Sequence, residues 1–419
     1  MTEKLLQYIW QFQYFTKNEL STTAGETLHV INPGTFNSNQ GPDFLDAKIK
    51  VGDTTWAGSI ELHISSSHWH LHGHSADKNY KNVILHVVWQ DDDTVSGSFP
   101  VLELQGKVSG LLLKRYDELM QFGNFIPCEK IIAQVPAITW AAWKERLLVE
   151  RLLQRSSVIT NYLQQNNNHW EETFWWLLAK NFGVVVNSDT FEKIARSLPI
   201  SILAKHKHQL QQTEALIFGQ ASMLAGHFSE DYPKMLQKEY AFLQKKYKLQ
   251  PVIEPVHLLR MRPSNFPAVR LAQLAMLVHN SNHLFSKIKE QHSLKEMRKF
   301  FEITANDYWH YHYCFDEPTA FKKKTIGMQM VNSIITNTIV PVLFAYGHHH
   351  KEAIYRERAF KLLEEMIAEK NVITNGFAAL DVENKNAFDS QALLQLKKHY
   401  CDPKCCLACA IGNKLLKTG

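Results

Sequence analysis

Residues 41–65 read GPDFLDAKIKVGDTTWAGSIELHIS, and they decide the fold of the first part of the chain. Leu45, Ala47, Ile49 and Val51 fall on one face, with Asp46, Lys48 and Lys50 on the other. That period of two is the signature of a half-buried strand. Gly52-Asp53 is a turn signal. Trp56, Gly58, Ile60, Leu62 and Ile64 then share one face of a second strand, and Ser59, Glu61, His63 and Ser65 share the other. The two runs are expected to pair as a hairpin.

Working outward, Lys4 to Phe15 has the spacing of a short amphipathic helix, and Thr27 to Ile31 reads as a strand. Residues 32–42 (NPGTFNSNQGP) form a loop rich in turn formers. Ser75 to Asn82 suits a short helix. VILHVVW (83–89) is apolar on both faces, as a buried central strand is. Val101 to Gln105 reads as a further strand. Beyond about residue 130, Trp140, Trp143, Leu147, Leu148 and Leu152 recur at helical spacing, and helical patterns continue through Ala387–His399. The expected architecture is an α+β domain over residues 1–130, followed by a larger all-α domain over 131–419. Pro341 is expected to kink or split the apolar helix it lies in.

Apolar residues make up 45% and charged residues 21% of the 419, which excludes a disordered chain, a collagen-like repeat and a disulfide-stapled miniprotein. The most apolar stretch, Ile334 to Tyr346, is broken by Thr336, Asn337, Thr338 and Pro341, and a membrane span needs ~20 apolar residues. The start, MTEKLLQYIWQFQYF, lacks the basic, apolar and small-residue regions of a secretion signal. A cytoplasmic protein with no membrane association is expected. Charge is uneven. Residues 1–135 carry 10 Lys and Arg against 15 Asp and Glu, and residues 136–419 carry 36 against 26. A basic remainder of net +10 suits a polyanionic partner such as nucleic acid.

Six histidines (His63, His68, His70, His72, His74 and His86) fall within 24 residues. Same-face neighbours on a strand lie ~6.5–7 Å apart, so Glu61 and His63 can reach one ion or one water. Asp43 stands at the loop end of the adjacent strand. Two carboxylates and a backbone carbonyl suit a hard cation, Mg²⁺ or Mn²⁺, which activates water and neutralises a scissile phosphate. The candidate catalytic set is Asp43, Glu61 and His63, joined by His72 or His74. The plainer alternative is a loop-capping Asp43 beside a solvated strand face. His86 is either a hydrogen-bonded core histidine or a residue aimed at the site.

This arrangement resembles the PD-(D/E)XK nuclease superfamily, in which a Pro-Asp precedes an acid-x-Lys on the next strand of an αβββαβ core. Pro42-Asp43 and Glu61-Leu62-His63 carry the resemblance, with His in the Lys position. It implies a restriction-endonuclease-like core, Asp43 and Glu61 as metal ligands, and His63 orienting or deprotonating the attacking water. The run His68-Trp69-His70-Leu71-His72 after His63 is similar to that of very-short-patch mismatch repair endonucleases. Over nearly its full length the chain resembles a bacterial domain-of-unknown-function family of Bacteroidota type. NQGPDFLDAKI, HWHLHGH, NVILHVVW, TNTIVPVLFAYG and CCLACAIG carry that likeness.

Cys401, Cys405, Cys406 and Cys409 lie within nine residues. In a chain without a secretion signal such density points to metal, either Zn²⁺ or an iron–sulfur cluster, and otherwise to a helix of buried free thiols. RMRPSNFPAVR (260–270) and Lys322-Lys323-Lys324 are candidate phosphate contacts. The leading expectation is a metal-dependent nuclease. The alternatives are a non-catalytic nucleic-acid or protein interaction module on a degenerate nuclease core, and a histidine-rich metallohydrolase of another substrate.

Overall fold

The computed structural model describes residues 1–37, 39–92, 99–121, 124–258 and 265–417. The chain divides into two compact units. One comprises Met1–Trp143 with Leu396–Gly419, and the other Lys144–Gln395.

The alternating runs of the first unit become a mixed sheet of β1 (Leu28–Asn32), β2 (Thr35–Phe36), β3 (Phe44–Val51), β4 (Thr54–Ser65), β5 (Val83–Gln90) and β6 (Val101–Glu103). Its order is β1-β3-β4-β5-β6, with β2 pairing on β3. β3 runs antiparallel to β1, β2 and β4, whereas β5 lies parallel to β4, and β6 parallel to β5. The hairpin forms where the sequence places it, but its first face is out of phase. Phe44 is fully buried and Leu45 is exposed. The cause is a bulge: Phe44 faces Ile60 while Ala47 faces Gly58. Asp46 sits inside it with φ at 57°, a left-handed conformation that asparagine and aspartate tolerate best among non-glycine residues.

Parallel neighbours need a crossover, and residues 66–82 provide it. The expected helix over 75–82 is instead two single 3₁₀ turns, His74–Ala76 and Lys78–Tyr80. Asp77 separates them in an extended conformation and caps Asn79 N–H. Gly58 is required by the close approach of the returning chain, since a Cβ there would lie 2.5 Å from Asn82 O and from Ile84 Cγ2. Helix α1 (Glu3–Gln11) packs against β4. The short helix α2 (His68–Leu71) opens the crossover, and α3 (Gly110–Met120) follows β6.

The second unit is helical, built around a core that includes Trp175, Phe182, Phe218, Leu271, Trp309 and Leu343. Met328–His349 is one continuous helix, apolar and long enough to cross a membrane by length and composition alone, and 72% of its most apolar window is buried inside the unit. Pro341 does not split it. A π turn over Ile335–Ile339 precedes the proline, where Val340 N–H bonds Ile335 O. Proline has no N–H for the carbonyl four residues back. That carbonyl, Asn337 O, accepts instead from Arg155 Nη1 at 3.3 Å.

Residues 396–419 group with the first unit, not with the helical part in which the sequence reading places them. Their contacts explain this. Lys404 Nζ donates to Met120 O at 2.6 Å, the Tyr400 ring meets Trp143 at 5.1 Å, and the C-terminal helix Ala410–Lys417 packs on α3.

Candidate functional site

Glu61 and His63 face the crossover from β4. Their strand face is not solvated: Glu61 is 5% and His63 1% exposed. Asp43, at the mouth of β3, is tied to Glu61 by a reciprocal pair of bonds. Asp43 N–H donates to Glu61 Oε2 at 3.0 Å, and Asp43 Oδ2 accepts from Leu62 N–H at 3.0 Å. Asp43 Oδ1 accepts from Gln7 Nε2 of α1 at 2.8 Å. Both Asp43 carboxylate oxygens are therefore engaged, whereas Glu61 Oε1 is turned toward the histidines.

His63 Nδ1 lies 2.9 Å from His86 Nε2, and His63 Nε2 lies 3.2 Å from His72 Nδ1. Glu61 Oε1 is 3.6 Å from His63 Nε2 and 3.6 Å from His74 Nε2. One donor nitrogen from each of His63, His72 and His74 falls within 4.8 Å of the others. Bonds of ~2.0–2.1 Å in a tetrahedral shell put ligand atoms about 3.3–3.4 Å apart, and the 3.2 Å between His63 and His72 and the two 3.6 Å separations from Glu61 are near that value. His74 Nε2 is buried with no hydrogen-bond partner among the described residues, as a nitrogen facing a cation would be. In the tautomer that donates Nδ1–H to His86, His63 keeps its Nε2 lone pair on the side of His72 and His74, the usual arrangement of a metal-ligating histidine.

The crossover is fixed by aromatic packing. Trp69 of α2 is buried, donates to Ser75 Oγ at 3.0 Å, and sets its ring 5.3 Å from His74 and 5.4 Å from His86. Tyr80 stacks on His74 with centroids 3.9 Å apart. Asp92, after β5, accepts from Ser67 N–H at 2.9 Å and anchors the start of α2.

The electrostatics describe a site that resists its own charge. Burial, with Asp43 beside it, pushes Glu61 up to about 9. Burial likewise raises Asp43 to about 6, opposed by the Leu62 N–H and reinforced by Glu3. Burial and the surrounding imidazoles hold His63 far below the usual histidine range, and burial lowers His86 to about 4. A cation favours the ionised carboxylates and the neutral imidazoles together.

All five expected site residues, Asp43, Glu61, His63, His72 and His74, thus meet in one place. Gln7, Glu3, Trp69 and Tyr80 join them without having been singled out in the sequence. For α1, a Glu3/Gln7 pair at i, i+4 on an amphipathic helix was the available signal. A cavity of about 550 Å³ in the same unit is lined by Tyr14, Lys107, Arg115 and Leu416 among others, none of them in this cluster.

The cysteines make a separate group. Cys401, Cys406 and Cys409 gather near Cys128, a partner far away in the sequence; burial and each other's charge push the Cys128, Cys401 and Cys406 thiols up. Backbone N–H groups of Ile411 and Gly412 reach the Cys409 sulfur. Cys405 is exposed. Among the described residues, the set of three donor atoms within 4.8 Å is the histidine one; the thiols stand farther apart. Of the basic motifs, Arg270 and Lys324 are buried in the helical unit, Lys322 and Lys323 are exposed, and Arg260 and Arg262 lie outside the described residues.

No curated protein and no solved structure matches the chain. A family model described as "Protein of unknown function (DUF2851)" matches residues 3–372, and the chain therefore belongs to the DUF2851 family.

Proposed function

We propose that this chain is a metal-dependent hydrolase that cleaves phosphodiester bonds in nucleic acid, with Glu61, His63, His72 and His74 holding the ion. The observation that carries the reading is the convergence of one nitrogen each from His63, His72 and His74 within 4.8 Å of one another, with Glu61 Oε1 3.6 Å from His63 Nε2 and from His74 Nε2. Three imidazoles and one carboxylate suit Mn²⁺ or Zn²⁺ better than Mg²⁺, which prefers oxygen. Such an ion supplies a bound water of lowered pKa and charge neutralisation at the phosphate. The protein residues do the rest. Asp43 N–H and Gln7 fix the two carboxylates, His86 fixes the face His63 presents, and Trp69 and Tyr80 shield His74 from water.

Chain order supports a nuclease over other hydrolases. Helix α1 is followed by β1, β3 and β4 in antiparallel succession, then a crossover, then the parallel β5. With the two-residue β2 set aside, this succession resembles the αβββαβ order of the PD-(D/E)XK core, with Pro42-Asp43 leading into the second of those strands and Glu61-x-His63 on the third. The superfamily lysine is replaced by His63, whose place in the donor set gives it a ligand's role in this reading. The net charge of +10 over residues 136–419 supports a polyanionic substrate.

The test is a cleavage assay on single- and double-stranded DNA and RNA with Mg²⁺, Mn²⁺ and Zn²⁺, for wild type, Glu61→Ala and His72→Ala. Cleavage by wild type with Mn²⁺ or Zn²⁺, lost in both variants, is expected. Salt-sensitive nucleic-acid binding without cleavage would replace the reading with an interaction module on a degenerate core. Activity on model esters alone would replace it with a small-substrate hydrolase.

A further inference from the structure

Two buried cationic side chains of the helical unit, Lys324 and Arg270, share one cavity and have no carboxylate partner among the described residues. Lys324 is 5% and Arg270 6% exposed. Both line one cavity of about 360 Å³ together with Tyr313, Thr325 and Ser333. Lys324 Nζ has no hydrogen-bond partner among the described residues. It rests over the Tyr313 ring, 3.4 Å from the centroid, a contact that offsets part of its desolvation and leaves its three N–H donors unspent.

Arg270 is held in place by neutral groups. Nη1 donates to Gln273 Oε1 at 3.0 Å and Nη2 to Asn265 Oδ1 at 2.8 Å, while its buried Nε has no partner among the described residues. Gln273 in turn donates from Nε2 to Lys324 O at 3.1 Å, so one amide sets the positions of both cations. Burial alone pulls Arg270 down to about 10, with no acid contributing.

A buried charge without a partner costs several kcal/mol, and folding gives no reason to place two of them around one cavity. Structural cations are normally matched by a carboxylate. We infer that this cavity is a binding site for a phosphoryl group, held by Lys324 and by Arg270, with the exposed Lys322 at its margin. A phosphate's tetrahedral oxygens accept from several directions at once and carry up to two charges, which matches two cations better than a flat, singly charged carboxylate does. The volume admits a ligand larger than a lone phosphate. The phosphoryl group therefore belongs either to a nucleotide-sized metabolite or to the phosphorylated end of a strand. The site lies wholly in the helical unit and is independent of the chemistry assigned to the sheet.

The experiment is titration calorimetry and thermal melting of the full chain at constant ionic strength. The titrants are inorganic phosphate, a nucleoside monophosphate, and one oligonucleotide with either a 5′-phosphate or a 5′-hydroxyl. At least one phosphate-bearing titrant is expected to bind and raise the melting temperature. Lys324→Met should weaken that binding by about tenfold or more, the loss of one charged hydrogen bond. In phosphate-free buffer it should melt no lower than wild type, because it removes an uncompensated buried charge. Lys322→Ala, an exposed change, should weaken binding about two- to fivefold through screened attraction. Preference for the 5′-phosphorylated strand identifies a strand end, and preference for the monophosphate identifies a metabolite. The inference is overturned by absence of binding to all phosphate-bearing titrants, by equal binding of the two oligonucleotides with no binding of the small titrants, by unchanged affinity in Lys324→Met, or by a Lys324→Met protein that melts well below wild type.

Discussion

The main-chain N–H of Asp43 holds Glu61 Oε2 at 3.0 Å, so no substitution of Asp43 other than to proline removes the bond that orients the Glu61 carboxylate. What the Asp43 carboxylate does is accept from Leu62 N–H and from Gln7. Asp43→Ala is therefore expected to lower stability by about 1–3 kcal/mol, the cost of a strand-interior N–H left unpaired, with at most a tenfold loss of Mn²⁺ or Zn²⁺ affinity. Glu61→Gln should lose affinity by well over tenfold. Calorimetric metal titration beside thermal melting separates the two. An Asp43→Ala protein of wild-type stability that binds no metal would make Asp43 an ion ligand.

His86 tests the support behind the site. It meets His63 Nδ1 at 2.9 Å from the neighbouring strand, and loss of such an outer partner typically lowers metal affinity 10–100-fold. His86→Leu, apolar on an apolar strand, should reduce affinity by that factor while the sheet stays folded, as read by circular dichroism and metal titration. Unchanged affinity would make His86 a core residue only.

Glu214 gives the helical unit a pH dependence. It is fully buried, accepts from Trp309 Nε1 at 3.2 Å, from Asn306 Nδ2 at 2.9 Å and from Tyr232, and burial pushes it up to about 7. The folded state holds the proton more tightly than the unfolded chain. Its stabilising contribution is therefore complete below about pH 4.5 and declines as pH rises through 7, by about 3 kcal/mol in all. Denaturant melts of wild type and Glu214→Gln between pH 5 and 8 should show this decline in wild type and its absence in the variant.

The cysteine group predicts a metal that depends on a residue far from the C-terminal run. If the thiols hold an ion or a cluster, Cys128→Ser should lower metal content as much as Cys409→Ser does, because Cys128 lies among Cys401, Cys406 and Cys409. Anaerobic purification followed by metal analysis and absorption spectroscopy checks this. A folded wild type free of iron and zinc would leave the cysteines as buried thiols.

Gly58→Ala should cost about 1–3 kcal/mol, the range for overpacking, because the added carbon would lie 2.5 Å from backbone oxygen of Asn82 and the β4–β5 approach must widen. A melting temperature within a degree of wild type would show that the strands can give way.

The hairpin and its Glu61-x-His63 ending were legible because a two-residue period and a Gly-Asp turn are local. The exposure of Leu45 was not. It follows from one left-handed residue, Asp46, inside a run whose alternation looks unbroken. Which histidines enter the site was likewise open, because it depends on how residues 66–82 fold back over β4, and Trp69 fixes that by packing against His86 of the next strand. Pro341 shows the same limit from the other side. Its missing donor was readable, but the π turn and the Arg155 side chain that absorb the loss lie elsewhere in the unit.

The grouping of residues 396–419 with residues 1–143 bears on the order of synthesis. Domains fold largely as they emerge, N-terminal first, but here the opening unit lacks Leu415 and Leu416, both buried, and the Lys417 ammonium that sits 5.0 Å from the Phe12 ring, until everything between has been translated. The intervening helical unit is complete before that. The nascent first unit must therefore wait, with the surface later covered by Ala410–Lys417 open to chaperones, and a ribosome that stops before codon 396 releases a finished helical body attached to a sheet unit that lacks its last helix.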